Sequence, residues 1–188
     1  MLQTQEAPET RGARAARRDG TRTLVPVAVD AGMDAAVDPA SALVALHGRI
    51  ERQFARYQQA EGSYPKRYQA IRAISAALAT HVTLEDELLY PALRAQTAAH
   101  DPEIEQQLEQ DHLLDLLLVE LGGMVPSDRR FDAKVRVLMQ VFYQHEHDSE
   151  ALLVPELRRR LDPGGSAQLT QRLLERLGQL ESQTLLRR

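Results

Sequence analysis

The chain has 188 residues, no cysteine, a formal net charge of −4, and 43% hydrophobic against 27% charged residues, which suits one domain with a sizeable core rather than two. Without cysteine there can be no disulfide, thiolate metal site or cysteine-held iron–sulfur cluster, so any metal must be held by nitrogen and oxygen. The acidic balance and the lack of a long basic run argue against nucleic acid, no apolar run approaches the ~20 residues of a membrane span, and no secretory signal is evident, so a cytoplasmic protein is expected.

Residues 1–37 mix Arg, Ala, Gly, Thr and Asp without helical or strand periodicity and read as a disordered N-terminal tail. Asp38-Pro39 then places an N-cap residue before a proline suited to the first helical turn, and starts helix A. That helix runs to about residue 60 with Leu43, His47, Ile50, Phe54 and Tyr57 on its apolar stripe. EGSYP breaks it. Helix B covers about 65–98 with Ile71, Ile74, Leu78, His81, Glu85, Leu88 and Ala92 on its stripe, and Pro91 should kink it or weaken its last turns. Asp101-Pro102 repeats the start signal and opens helix C, whose stripe is Ile104, Leu108, His112, Leu116 and Val119, up to Gly122-Gly123. Helix D runs from about 128 to 161 with Phe131, Val135, Leu138, Phe142, His145, Ser149 and Leu152 inward, and DPGG ends it. A shorter helix from about Ser166 to Leu180 carries Leu169, Leu173 and Leu177.

Four long amphipathic helices with short connectors predict an all-α protein, an up-down-up-down antiparallel four-helix bundle over 38–161. The additional C-terminal helix and tail over 162–188 would pack across the bundle or serve a partner, and a homodimer is one such arrangement.

Each long helix carries one histidine in line with its core residues: His47, His81, His112 and His145. At ~1.5 Å rise per residue, His47 and His81 fall at about the same depth below the loop between helices A and B. His112 and His145 differ in depth by nearly two turns, which uncertainty at helix ends absorbs only in part. His81 and Glu85, four apart, project from one face, and a carboxylate replacing a core leucine calls for a positive partner because desolvating an unpaired charge costs several kcal/mol. On helix D the residue four after His145 is Ser149, and the next acid, Glu150, stands five after. Pro155 cannot donate to the carbonyl of Ala151, so a local distortion could turn Glu150 inward; otherwise another acid serves. Five or more nitrogen and oxygen ligands with two carboxylates able to bridge would suit a pair of iron or manganese ions.

The segments SALVALHGRIERQFARY, HVTLEDELLYPAL, EQDHLLDLL and FDAKVRVLMQVFYQHEHDSEALLVPEL together resemble the hemerythrin-like, or HHE cation-binding, domain over about residues 39–161. The resemblance implies two non-haem iron ions with His47, His81, His112 and His145 as terminal ligands, Glu85 as a bridging carboxylate and Glu150 as the second bridge. Classical hemerythrins have two histidines four apart on helix C, whereas His112 is flanked at that spacing by Leu108 and Leu116; Asp111, Asp115 or Glu109 could substitute. His100 and His147 are expected at the surface or behind the ligands.

Three functions compete on this reading. The first is a di-iron protein that binds or senses O2, NO or hydrogen peroxide; the second is a di-iron enzyme of peroxide removal or iron–sulfur repair. The third is a metal-free bundle that binds a partner through its C-terminal helix. A ferritin-like oxidase fits less well, since it needs two Glu-x-x-His pairs and only Glu109/His112 has that spacing.

Overall fold

The computed structural model describes residues 38–96 and 101–186. The expectations for the tail over 1–37 and for His100 lie outside the described residues. Helix α1 spans Pro39–Gln59, and Asp38 caps it by accepting a hydrogen bond from the Ser41 backbone N–H at 2.6 Å. This satisfies one of the donors that every helix start leaves orphaned. The chain reverses through Gly62, whose φ of +78° a side-chain-bearing residue rarely adopts. Helix α2 spans Tyr64–Leu84 and packs antiparallel on α1.

The second helix does not end at Pro91, nor does it simply kink. It widens into a π-helical turn over Glu85–Leu89, closed by the Tyr90 N–H bonding to the Glu85 carbonyl, and resumes as α3, Tyr90–Arg94. Proline has no N–H to give and its ring crowds the carbonyl a turn back, so one extra residue in the preceding turn relieves the clash. The same solution recurs after α5, Phe131–Asp148: a π-turn over Ser149–Leu153, closed by Val154 N–H to Ser149 carbonyl, leads into α6, Val154–Arg160, with Pro155 in its first turn. Between them, α4 spans Pro102–Gly122 and packs on α5.

The last helix, α7, spans Pro163–Leu186, so it begins earlier than Ser166 and runs past Leu180. Helix D ends where DPGG was expected to end it, α6 stopping at Arg160, and the Asp162-Pro163 pair also starts α7: the Asp162 side chain accepts from the Gly165 N–H at 2.6 Å. It is a third use of the Asp-Pro signal. α7 packs against α1 and α2, with Leu169, Leu173 and Leu177 buried against Leu43, Leu46 and Leu89, and with Arg49–Glu181 and Arg176–Glu87 ion pairs at its edges.

Helix C differs from expectation in its rotation. Its buried residues are Ile104, Gln107, Asp111, Leu114 and Leu121, while Leu116 and Val119 are exposed. The run Leu108–His112–Leu116–Val119 looks like a core stripe because it is apolar at helical spacing, but the face that enters the bundle holds two polar residues instead. His112 turns outward with that run.

The buried apolar residues form two clusters. One gathers Leu43, Leu46, Leu88, Ile104, Leu153 and the α7 leucines; the other gathers Ile50, Phe54, Ile74, Leu78, Leu114, Val135 and Phe142. Along every helix of the bundle the boundary between them is polar: His47 on α1, His81 and Glu85 on α2 and its π-turn, Asp111 on α4, His145 and Ser149 on α5 and its π-turn. Asp38→Ala should destabilise the fold by about 1 kcal/mol through loss of the cap. Leu173→Ala, which empties part of the apolar cluster under α7, should cost about 2–5 kcal/mol. Urea titration followed by circular dichroism checks both.

Candidate metal centre

Helical spacing alone brings His81 and Glu85 to one face, and the antiparallel packing brings His47 and His145 up to them. All four side chains are fully buried, and one ligand atom from each lies within 4.8 Å of the others. His81 Nε2 and His145 Nε2 are 2.9 Å apart, and Glu85 Oε2 lies 3.0 Å from the first and 3.4 Å from the second. The His47 ring stands edge-on to both, with centroids 4.9 Å from His81 and 5.9 Å from His145.

Hydrogen bonds satisfy little of this cluster. His47 Nε2, His81 Nδ1 and both Glu85 oxygens are buried with no hydrogen-bonding partner. Such orphaned groups are costly, and buried polar atoms normally find partners. One ligand atom from each of the four side chains gathers in the same small volume, an arrangement a cation would satisfy. The donor set fits iron or another imidazole- and carboxylate-binding divalent metal.

The electrostatics follow from burial and these neighbours. Burial works to keep Glu85 neutral, but the imidazoles of His81 and His145 outweigh it and hold its carboxyl well below the usual carboxylate range. Burial likewise opposes a charge on His145, yet Glu85, with Asp111 behind it, keeps that imidazole above its ordinary value. His47 goes the other way: burial, then the neighbouring His81, pushes it well below the ordinary value, which leaves a neutral ring suited to metal binding.

Two carboxylates stand behind the imidazoles. Asp111 Oδ1 lies 3.3 Å from His145 Nδ1, and its Oδ2 accepts a hydrogen bond from the Tyr90 hydroxyl at 2.7 Å. Burial, then the nearby Glu85 charge, pushes Asp111 up to about 8. Tyr90 reaches this position because of the π-turn: five residues after Glu85, it would stand roughly 140° around a regular α-helix, but the wider turn stacks it over Glu85. Glu150 plays the corresponding part for His47, with Oε1 3.0 Å from Nδ1 and a side chain that is 39% exposed.

The structure therefore brings together His47, His81, Glu85 and His145, and places Glu150 against the outer nitrogen of His47. It does not bring His112 to them. That side chain is exposed on α4, and Asp111, one residue earlier, takes the inward position. Asp111 and His112 differ by about 1.5 Å in depth and about 100° in rotation, so rotation and not depth separates the inward residue from the outward one. Ser149 sits fully buried one turn beyond His145, its hydroxyl without a partner, and His147 is exposed. Gln107, one turn before Asp111 on α4 and also fully buried without partners, had no signal in the apolar pattern.

No helix among the described residues is long and apolar enough to cross a membrane. The hemerythrin HHE cation binding domain family matches residues 38–157. No curated protein matches the chain. Among solved structures, a hemerythrin HHE cation binding domain-containing protein from Mycobacterium kansasii is 19% identical, with a TM-score of 0.69, covering 80% of this chain and 91% of that one. At that identity the likeness is one of fold. The family match spans nearly all of the four-helix region and every residue of the buried cluster, and the chain belongs to the hemerythrin HHE cation-binding domain family.

Proposed function

We propose that this chain is a non-haem di-iron protein that binds or senses a small ligand, O2, NO or hydrogen peroxide, inside its helical bundle. The observation that carries the reading is the fully buried His47–His81–Glu85–His145 cluster with its unpartnered nitrogens and oxygens. His47, His81 and His145 would hold the metal by imidazole nitrogen and Glu85 by carboxylate. Iron bound there would supply an open coordination position and redox chemistry.

The chain's own residues would do the rest. Leu46, Ile50, Leu78, Leu88 and Phe142, buried above and below the polar layer, keep bulk water from the site and lower the local dielectric, so the Glu85 charge acts at nearly full strength. Asp111 Oδ1, 3.3 Å from His145 Nδ1, is placed to orient that ring with Nε2 towards Glu85, while the Tyr90 hydroxyl donates to Asp111 Oδ2 and holds it in place. Glu150 does the same for His47, accepting at Nδ1.

Iron measured by mass spectrometry after anaerobic Fe(II) loading should approach a pair of ions per chain, and admission of air or NO should change the visible spectrum. A protein that retains no iron would instead favour the metal-free interaction bundle. Glu85→Gln is expected to abolish most of the iron retention while leaving the helical content intact. Asp111→Ala should weaken metal binding by about 10–100-fold in chelator competition, since it leaves His145 without its orienting carboxylate. Because metal binds the folded chain alone, loading at about 100 times the dissociation constant should add roughly 2.7 kcal/mol of stability, read as a higher Tm that a chelator reverses.

A further inference from the structure

The buried polar layer holds two side chains that the metal cluster does not use, Gln107 and Ser149. Both are fully buried, and neither the amide nitrogen and oxygen of Gln107 nor the hydroxyl of Ser149 has a hydrogen-bonding partner among the described residues. They lie at one level. Gln107 stands one turn before Asp111 on α4 and Ser149 one turn after His145, and the two helices run antiparallel, so both steps lead the same way from the Asp111–His145 pair. Asp148, the residue before Ser149, accepts from Gln106 at 2.9 Å and from Gln110 at 2.8 Å, which ties the two elements together on either side of Gln107 and fixes that register.

Neither side chain is explained by the fold. A helical hydroxyl can give its proton to the carbonyl four residues back, as Thr80, Thr83, Thr170 and Ser182 do here. Ser149 does not, although it sits in the same helical setting. Ile104 and Leu153, the next inward residues along the two helices, are buried and apolar, so the step beyond is dry. An amide and a hydroxyl left without partners are costly in such a core, where a methionine and an alanine would fill nearly the same space without that cost. Together they offer two N–H donors, one O–H donor and an acceptor oxygen on each residue.

We propose that Gln107 and Ser149 form a hydrogen-bonding niche that holds hydrogen peroxide beside the metal cluster and selects it over O2 and NO. The inference rests on the reading of that cluster as an iron centre. Hydrogen peroxide has two O–H groups to give and lone pairs to accept with, so one molecule can donate to Gln107 Oε1, accept from its Nε2 and meet the Ser149 hydroxyl. O2 and NO have no hydrogen to give and would leave the Gln107 oxygen as unpaired as before. The niche stands one helical turn from His145, and neither of its residues is among the cluster's ligands, so it positions peroxide without taking a place on the metal.

Titrating the air-oxidised, iron-loaded full chain with hydrogen peroxide and following its visible absorption tests this. Gln107→Met/Ser149→Ala nearly keeps the volume of both side chains but removes their hydrogen bonds, and its half-saturating peroxide concentration should rise about tenfold. Its iron content by mass spectrometry and the affinity of the reduced chain for NO should stay as in the wild type. The metal-free variant should also melt about 2–4 °C higher, since buried polar groups without partners have been removed. Three results would each overturn the niche while leaving the metal centre standing: an unchanged peroxide titration, an equal weakening for NO, or a lower Tm of the metal-free variant, which marks groups that serve the fold through a fixed internal water. A wild-type chain that retains no iron would overturn the metal reading and the niche with it.

Discussion

One buried carboxylate organises this molecule. Glu85 is fully buried in a helical bundle, where an unpaired negative charge would cost several kcal/mol, and the chain answers by surrounding it with imidazoles. That requirement accounts for the polar layer that divides the apolar core in two. It also accounts for the polar residues on the inner face of α4, where Asp111 faces the far nitrogen of His145. Pure hydrophobic burial would have made a continuous core and a more comfortable apo fold. The layer exists at the expense of packing, which is expected of a functional site rather than of a structural one.

The two π-turns belong to the same constraint. Each begins at a fully buried polar residue, Glu85 or Ser149, and ends two residues before a proline, so the distortion that proline imposes is absorbed beside the buried polar layer. The turns are not equivalent in consequence. After Glu85 the stacked residue is Tyr90, whose hydroxyl holds Asp111; after Ser149 it is Val154, which joins the apolar core instead. The stretch from His81 to Pro91 thus ends in a polar arm and that from His145 to Pro155 in an apolar one. Glu150, left at the seam by the second turn, links the buried cluster to solvent.

Much of this was legible beforehand, for identifiable reasons. The Asp38-Pro39 and Asp101-Pro102 starts depend only on local capping chemistry, and the helices begin where those signals stand. The third such pair does both: α6 stops before it, and Asp162 satisfies the Gly165 N–H so that a new helix starts at Pro163. His47, His81, Glu85 and His145 stood out because each interrupts an apolar stripe at helical spacing. Helix C failed the same test: its apolar stripe and its inward face are different faces, so pattern alone chose His112 where the bundle chose Asp111.

The sequence by itself determined which residues can form helices, where those helices start, and that histidines stand on the inner faces of α1, α2 and α5 with Glu85 one turn after His81, because spacing along one helix dictates who shares a face. Only tertiary structure decided the rotation of α4 and the placing of Asp111 behind His145 and of Glu150 behind His47. Those depend on the depth and angle at which separate helices meet. A displacement of one residue turns a side chain by about 100°, and no local signal resolves so fine a difference between a ligand and a surface residue.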